Sequence, residues 1–312
     1  MMFAASALFH YYRPGSWLRV TGSDAAAFLQ GQFTNDIRLA GSERPVYGLW
    51  LNQKGKILAD SFVLRGAADE FWIGSYFSSA ETIRRRLDDY IVADDVVVED
   101  VTPGWAGVSL IGEGVGAGLA GLPQREGWIF PGRRASRENW EWVFPADGAE
   151  AAHARLVGGR ELEAVDMERL RVEAGIPAVP ADAGPGDLPG ECGLDDAAIS
   201  STKGCYLGQE IIARLKSKGT IRRRLFRVRG PSPVPFLPAA LSREGKQVGE
   251  LRSAVTTEDG TGFTGLAMLK VDAALAAAER SGDGSRRVPP TTGPDFVGAH
   301  LLQCGDNSVE IV

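Results

Sequence analysis

Lys203-Gly204-Cys205-Tyr206-Leu207-Gly208-Gln209-Glu210 is the most distinctive stretch of this 312-residue chain. The apolar residues that follow it recur at helical spacing, which predicts a helix with Cys205 at its N-terminal end. A thiol at that place, two residues from Lys203, is in a setting that favours the reactive thiolate. The stretch therefore predicts a reactive or metal-binding sulfur.

A structural interpretation of Cys205 stays open, because free cysteine is among the most buried residue types. Cys192 and Cys304 lie 13 residues before and 99 residues after it, which matches no common zinc or iron–sulfur spacing. We expect both to be core residues, and we expect no permanent metal site held by this chain alone. Three cysteines in so long a chain also argue against a disulfide framework and favour a reducing compartment.

Length and composition indicate a globular protein of two or three packed units. The 312 residues exceed the size at which one core usually keeps growing, and 44% hydrophobic with 24% charged residues is ordinary for a folded chain. The apolar run in residues 1–9 is too short for a membrane helix and has no basic residue before Arg13. We therefore expect a cytoplasmic protein without a signal peptide or membrane contact.

Basic residues are concentrated in one part of an acidic protein. Residues 203–229 contain nine basic residues and one acid, a net charge of +8, although the whole chain carries −6. Such a stretch is suited to an anionic ligand or a polyanion. The alternative is a solvated surface that only keeps the protein soluble.

Two segments about ninety residues apart repeat a pattern of strand, glycine turn and short helix. Residues 17–20 alternate like a strand, and Ser23 then offers an N-cap for a helix over residues 24–30. Residues 105–110 are followed by Gly112 and a stretch rich in Gly, Ala and Leu. The repeat predicts two related α+β lobes, each a sheet with helices on one side.

The first lobe contains further local signals. Residues 52–56, with the sequence Asn-Gln-Lys-Gly-Lys, predict a hairpin turn between strands at 46–51 and 57–64. Ser78 and Glu81 form a capping-box pattern at the start of the next predicted helix.

A proline-rich linker at residues 230–235 marks the predicted domain boundary. Its three prolines remove backbone donors and stiffen the path of the chain. We therefore divide the chain into residues 1–229 and residues 230–312. The second part is predicted to be a small β unit that ends in a hairpin formed by residues 301–304 and 309–311.

The stretch at 203–210 resembles the Lys-Gly-Cys-Tyr-x-Gly-Gln-Glu signature of the YgfZ family, which is related to the aminomethyltransferase (T-protein) of the glycine cleavage system. Similar blocks follow the family's order, and the resemblance covers about residues 17–255. These blocks are Gly31-Gln32-Phe33-Thr34-Asn35-Asp36, Lys54-Gly55-Lys56, Glu173-Ala174-Gly175-Ile176-Pro177 and Gly249-Glu250-Leu251.

This resemblance implies an α+β fold in which two ferredoxin-like lobes and a small C-terminal β-barrel form a ring around a central channel. Residues 1–229 would then be a T-protein-like folate-binding region of two intertwined lobes, and residues 230–312 the barrel.

The resemblance also implies a site for tetrahydrofolate or a one-carbon derivative. Trp17 matches a tryptophan that lines the family's folate site, and an aromatic face suits a flat pteridine. Glu173 matches a carboxylate that accepts from the pterin's N–H donors. Met167 stands where the family has a second tryptophan. The other site residues that we expect are Tyr206, Asn35 and Asp36 for the cofactor, and Cys205, Lys203 and Gln209 for catalysis.

With a folate as ligand, the basic stretch acquires a partner. The glutamate tail of folate is anionic and is commonly extended by further glutamates, so Lys and Arg near the channel mouth would hold it.

Three functions are compatible with these features. The first is a tetrahydrofolate-binding accessory protein for assembly or repair of iron–sulfur clusters, including those of tRNA-modifying enzymes. Its partners would be iron–sulfur proteins or assembly factors, and Cys205 would be an essential thiol that holds a cluster transiently or accepts a one-carbon adduct.

The second function is a folate-dependent aminomethyl or methyl transferase. The transferase relatives carry an asparagine-rich block where this chain reads Gly74-Ser75-Tyr76-Phe77-Ser78, so that chemistry looks lost. The third, a nucleic-acid-binding module using the basic stretch, is disfavoured by the sequence pI of about 5.3.

Overall fold

The computed structural model describes residues 7–67, 69–119, 127–156, 158–272, 274, 302–305 and 307–312. Two five-stranded sheets with flanking helices form two α+β lobes, and a closed six-stranded barrel follows them. The predicted fold class of two α+β lobes and a C-terminal barrel is confirmed.

The first lobe is built on a sheet with strand order β3-β4-β5-β2-β6. Its hydrophobic core lies between this sheet and two helices, because the apolar faces of Phe28, Leu29, Ile83 and Leu87 pack on the strands. The elements are β2 (Ser16–Thr21), α1 (Ala25–Gln32), β3 (Val46–Leu51), β4 (Ile57–Arg65), β5 (Glu70–Ser75), α2 (Ala80–Asp88) and β6 (Val97–Asp100).

The second lobe has strand order β10-β1-β7-β9-β8. Its strand β1 (Leu8–Tyr12) comes before the first lobe in the chain and pairs antiparallel with β7 along Leu8–Ile111 to Tyr12–Gly107, so the two lobes are intertwined. The other elements are β7 (Trp105–Ile111), α3 (Val115–Leu119), β8 (Trp128–Pro131), β9 (Asn139–Pro145), α4 (Ala149–Arg155) and β10 (Arg160–Glu161).

Three helices connect the second lobe to the barrel: α5 (Ala164–Glu173), α6 (Asp195–Ala198) and α7 (Gln209–Lys218). The barrel strands close in the order β11-β14-β13-β12-β15-β16. They are β11 (Arg223–Pro231), β12 (Ala239–Arg243), β13 (Lys246–Thr256), β14 (Gly262–Lys270), β15 (Leu302–Cys304) and β16 (Asn307–Ile311).

The predicted C-terminal hairpin is present, because β15 pairs antiparallel with β16 and both complete the barrel wall. The division of the chain at residue 230 stays a prediction; β11, which pairs with β14 from Arg223 onward, extends across it. The polar segment at residues 281–296 lies outside the described residues.

The two lobes pack on each other through aromatic side chains. Trp17 of β2 and Phe62 of β4 meet Phe130 of β8 and Val143 of β9 in one buried cluster. A second cluster joins β3, β4, α5 and α7 to the barrel strands through residues such as Leu51, Ile212 and Met268. The lobes and the barrel therefore share apolar interfaces.

Two predicted helix caps were wrong by one residue. Asp24, not Ser23, precedes α1, and the Ser23 hydroxyl donates instead to Asp95, 2.9 Å away. Ser79, not Ser78, caps α2 by accepting from the amide of Thr82. Ser78 is used elsewhere, since its hydroxyl donates to the buried carboxylate of Asp60. Both Ser23 and Ser78 hydrogen-bond to residues that are distant in the chain, so neither caps the helix that follows it.

Among the described helices, none has the length and apolar character that crossing a membrane requires.

Candidate functional site

Cys205 is the exposed one of the three free cysteines, and Cys192 and Cys304 are buried in the core as predicted. The predicted helix is present, but it begins at Gln209, so Cys205 lies in the loop before it rather than in its first turn. Gly208 ends this loop with a φ of 85°, a left-handed conformation that only glycine adopts readily. We call residues 203–208 the thiol loop.

Gln209 links the thiol loop to α7. The side-chain oxygen of Gln209 accepts from the backbone N–H of Tyr206 at 3.3 Å, and the backbone N–H of Gln209 donates to the Tyr206 carbonyl at 3.2 Å. This pair of bonds fixes the backbone directly after Cys205. The structure thus places Gln209 beside the thiol loop, and its predicted catalytic role stays a prediction.

Lys203 holds the other end of the thiol loop. Its side chain is 6% exposed, and its ammonium donates to the carbonyl oxygens of Gln30 at 2.7 Å, Phe33 at 2.5 Å and Asn35 at 3.1 Å. Burial lowers the pKa of Lys203 to about 8. The ammonium is therefore engaged by the first lobe, and the expectation that it acts on the neighbouring sulfur stays a prediction.

The Gly31–Asp36 block packs against the thiol loop. The amide of Leu207 donates to the Gly31 carbonyl at 3.1 Å. Thr34 is buried, and its hydroxyl donates to the Ala198 carbonyl at 2.6 Å. The block and the thiol loop, about 170 residues apart in the chain, are thus joined by the Leu207–Gly31 backbone bond and by the bonds of the Lys203 ammonium.

Asn35 and Asp36, both predicted cofactor residues, use their side chains within the fold. The Asn35 amide donates to the Tyr47 carbonyl at 2.9 Å. Asp36 accepts from the guanidinium of Arg38 and from Gln30, and the Arg38 hydrogen bond holds the Asp36 pKa well below its usual range. Their assignment to the cofactor stays a prediction.

The hairpin between β3 and β4 packs against the thiol loop. A Cβ atom on Gly208 would lie 2.7 Å from the Asn52 carbonyl oxygen, and one on Gly55 would lie 3.1 Å from Cβ of Ile211. These close approaches require glycine at both positions. Three sequence blocks from distant parts of the chain therefore meet at the thiol loop and the start of α7.

Tyr206 is buried next to the exposed thiol. Its ring packs in the cluster that contains Ile212, and its centroid is 5.3 Å from the Lys203 ammonium. Burial, with a smaller contribution from the charge of Asp195, raises its pKa to about 12. The phenol is thus neutral at physiological pH and helps to fix the loop, and its cofactor contact stays a prediction.

Trp17, the predicted folate-lining residue, lies deep in the cluster between the lobes. It is 2% exposed, and Phe130 stacks on it with a centroid distance of 6.3 Å. Trp72 and Trp105 also contact the ring, whereas its indole N–H is buried without a hydrogen-bond partner. Aromatic side chains already contact the Trp17 ring, so contact of this ring with a pteridine stays a prediction.

Met167 and Glu173, both predicted folate residues, lie on α5. Met167 is buried on α5 against Ile111 and Leu162 of the second lobe. Glu173 is exposed at the C-terminal end of α5, where its backbone carbonyl accepts from Arg227 at 2.9 Å. Glu173 therefore offers an accessible carboxylate.

Three cations of the basic stretch bind other parts of the protein. Lys203 binds backbone carbonyls, and Arg227 binds the Glu173 carbonyl. Arg223 forms ion pairs with Asp187 at 3.2 Å and Glu191 at 3.1 Å. Exposed cations such as Arg214 and Arg229 remain for an anionic partner.

Sequence reasoning missed a buried polar cluster between the lobes. Asp60 accepts hydrogen bonds from Ser75 and Ser78 at 2.7 Å each and from Tyr47 at 3.0 Å. Burial raises the pKa of Asp60 above its ordinary value despite these bonds. An acid at an inward position of the apolar strand β4 was the signal that could have found this cluster.

Glu141 is the counterpart of Asp60 in the second lobe. It is fully buried on β9 and accepts from Ser109 at 2.8 Å and from Tyr76 of the first lobe at 2.9 Å. Burial raises its pKa, while the charge of Arg134 opposes that rise. The Tyr76 bond joins the lobes through a polar contact.

Within the described part of the chain, His, Cys, Asp and Glu form no group of three or more that could hold a metal ion.

The family model of the GCVT N-terminal domain matches residues 15–124, which include the first lobe. The model of the CAF17 C-terminal beta-barrel domain matches residues 222–291.

A human relative, the mitochondrial iron–sulfur cluster assembly factor IBA57, is 33% identical over 81% of this chain and 74% of its own length. The tRNA-modifying protein YgfZ of Edwardsiella ictaluri is 33% identical over 70% of each chain. This chain belongs to the YgfZ family. The exposed Cys205 stands at the position of the cysteine in the YgfZ signature.

A solved structure of a glycine cleavage system protein shares the YgfZ fold. The aminomethyltransferase T of Bartonella henselae superposes with a TM-score of 0.77 over 99% of this chain and 85% of that one, at 19% identity. At this identity, the likeness shows the shared fold of lobes and barrel.

Proposed function

We propose that this chain is a tetrahydrofolate-binding accessory protein for the assembly or repair of iron–sulfur clusters, including clusters of tRNA-modifying enzymes. Cys205 is its proposed essential thiol. The observation that carries the proposal is the position of Cys205, which is exposed on a loop held at both ends by the first lobe and by α7. The proposed compartment is the cytoplasm, where thiols stay reduced.

An exposed cysteine on a fixed loop is suited to contact with another protein. Lys203 and Gln209 flank the sulfur and hold the backbone, so little conformational freedom has to be lost when a partner binds. A transient cluster at Cys205 would be cargo, with its remaining ligands supplied by the iron–sulfur protein that receives or delivers it. The names of the relatives support this class of partner.

Tetrahydrofolate is the proposed cofactor, bound between the lobes and α5. The exposed Glu173 carboxylate is the acceptor that the pterin's amino and ring N–H groups need. The same helix carries Arg171, whose guanidinium lies 6.0 Å from the ring centroid of Phe77 in the first lobe. Bound tetrahydrofolate would supply a carrier for one-carbon units.

The transferase alternative has less support in this chain. In the segment Gly74–Ser78, where the transferase relatives carry their asparagine-rich block, the hydroxyls of Ser75 and Ser78 both donate to Asp60. These side chains serve a buried structural carboxyl. Formation of methylene-tetrahydrofolate from an aminomethyl donor by the purified protein would reverse this ranking.

The folate part of the proposal is tested by titrating the purified protein with tetrahydrofolate while following tryptophan fluorescence. The parent should show saturable quenching, and Glu173→Gln should weaken binding at least tenfold, because an amide replaces the charged acceptor. Glu150→Gln, at an exposed position of α4, is the matched control and should bind like the parent. An unchanged parent spectrum at millimolar ligand would remove the folate from the proposal.

A further inference from the structure

The hairpin loop between β8 and β9 places the side chains of Arg133 and Arg134 between the two lobes. Arg134 is 6% exposed, and its guanidinium carbon lies 4.2 Å from the ring centroid of Tyr12 and 4.0 Å from that of Tyr76. Asn139 fixes the turn by accepting from the Arg134 amide at 2.7 Å. The loop geometry therefore holds this cation inside the protein.

The guanidinium of Arg134 faces the buried carboxyl of Glu141 without forming an ion pair with it in the described part of the structure. Its Nε is buried without a hydrogen-bond partner, and in the described part of the structure the group forms no ion pair. Burying an unpaired charge is strongly unfavourable, so folded proteins pair such groups. Contact with two aromatic faces compensates only part of this cost.

Arg171 shows what the same fold does with an arginine that has a structural role. It is 3% exposed and lies 6.0 Å from the Phe77 ring centroid, while Arg134 lies 5.8 Å from it. Arg171 nevertheless donates five hydrogen bonds. They go to Glu168 (two), Asp182, the Ile176 carbonyl and Ser253. Two buried arginines beside one phenylalanine thus differ completely in how they are paired.

Arg133 repeats the arrangement on the side of the first lobe. Its guanidinium carbon lies 4.3 Å from the Tyr47 ring centroid, and its Nη1 is buried without a hydrogen-bond partner. The charge of Arg133 acts on Asp60 and that of Arg134 on Glu141, and both carboxyls accept hydrogen bonds mainly from hydroxyl groups. Burial raises the pKa of both carboxyls, which weakens them as counter-ions.

Phe77 lies between this region and solvent. It is 42% exposed, although its ring lies near both buried guanidinium groups, of Arg134 and Arg171. An anionic group that passes this ring would meet N–H donors in a low-dielectric environment, where charge-assisted hydrogen bonds are strongest.

We propose that Arg133 and Arg134 form a carboxylate-binding site between the two lobes. This assignment rests on the proposed function: the ligand of the site is the glutamate carboxylate of the folate. From the sequence, that carboxylate was expected at the basic stretch, residues 203–229. A guanidinium fork matches a carboxylate in two parallel hydrogen bonds. The other source of the same chemistry is a free amino acid or small carboxylic acid.

The site is tested by fluorescence titration of the parent and Arg134→Met with three probes: tetrahydrofolate, 6-methyltetrahydropterin, which lacks the glutamate, and glutamate alone. The variant should bind tetrahydrofolate at least tenfold more weakly and the pterin as the parent does. Arg137→Met, an exposed arginine of the same loop, is the control and should match the parent with all probes.

The outcomes separate this site from the folate proposal. Equal tetrahydrofolate binding by parent and Arg134→Met would overturn the carboxylate site and leave the folate proposal intact. If the parent binds glutamate but neither folate nor pterin, and Arg134→Met loses glutamate, the site stands with a free carboxylate as its ligand.

Thermal unfolding without ligand gives a second criterion. Arg134→Met should unfold at the same or a higher temperature than the parent, because it removes an unpaired buried charge, whereas Arg171→Met should unfold at a clearly lower one. A large loss of stability in Arg134→Met would show that the arginine is structural and would contradict the proposal.

Discussion

The ammonium nitrogen of Lys203 lies 2.7 Å from the carbonyl oxygen of Gln30, and this bond joins the thiol loop to the last turn of α1. The two residues are 173 positions apart in the chain. The family signature therefore contains a residue that positions the loop, two positions before the exposed sulfur.

Replacing Lys203 should loosen the thiol loop. In Lys203→Met three backbone carbonyls lose their donor, which should lower the free energy of unfolding by about 1–3 kcal/mol. Cys205 should also react faster with a thiol reagent, while the buried Cys192 and Cys304 stay protected. Urea unfolding and the rate of modification measure the two effects. Unchanged values in both would show that the three bonds do not hold the loop.

The stability contributed at Lys203 should depend on pH. Its folded pKa, lowered to about 8, lies below the unfolded value near 10.4. Between these values the unfolded chain keeps the proton that the folded protein has released, so the unfolding free energy rises with pH in this window. Unfolding of parent and Lys203→Met from pH 7 to 10.5 should show the steeper rise in the parent. Parallel curves would contradict the lowered pKa.

Two glycines of the thiol loop should differ sharply in their tolerance of alanine. Gly208→Ala combines a left-handed φ with a Cβ contact of 2.7 Å to Asn52, so it should cost about 1–3 kcal/mol. Gly204→Ala, next to the thiol, meets no atom within 4 Å and should cost less than 1 kcal/mol. Urea unfolding of the pair measures this; equal losses would show that the hairpin contact is not formed.

Glu141 should make the parent less stable at neutral than at acidic pH. Its pKa is raised by burial, so above the ordinary value near 4.3 the folded carboxyl keeps a proton that the unfolded chain releases, and stability falls as pH rises. In Glu141→Gln this fall should be smaller, because the buried Asp60 still contributes to it. Unfolding from pH 4 to 7, with the exposed Glu150→Gln as control, measures the difference between parent and variant. A parent that gains stability relative to Glu141→Gln would reverse the sign and refute the prediction.

Local patterns were enough to predict much of the fold. Alternation at 17–20 and 105–110 identified β2 and β7, and the turn at 52–56 identified the β3–β4 hairpin. The first residue of α7 was missed, because the left-handed φ of Gly208 delays the helix to Gln209. The signature itself located the exposed thiol.

Long-range contacts explain what sequence reasoning could not supply. The partners of Lys203 lie about 170 residues away, so its burial cannot be read from its neighbours. Tyr76 and Glu141, 65 residues apart, meet only because two intertwined sheets pack face to face. The charge of Arg133 and Arg134 gave no local sign that their side chains turn inward.

The most direct test of the proposed function replaces the gene in its host by a Cys205→Ser allele and measures the activity of iron–sulfur enzymes, including those that modify tRNA. Activity should fall to the level of a deletion strain while the folded protein accumulates normally, and Cys304→Ser, at a buried barrel position, should behave like the parent if it folds. Full iron–sulfur enzyme activity in the Cys205→Ser strain would contradict the account.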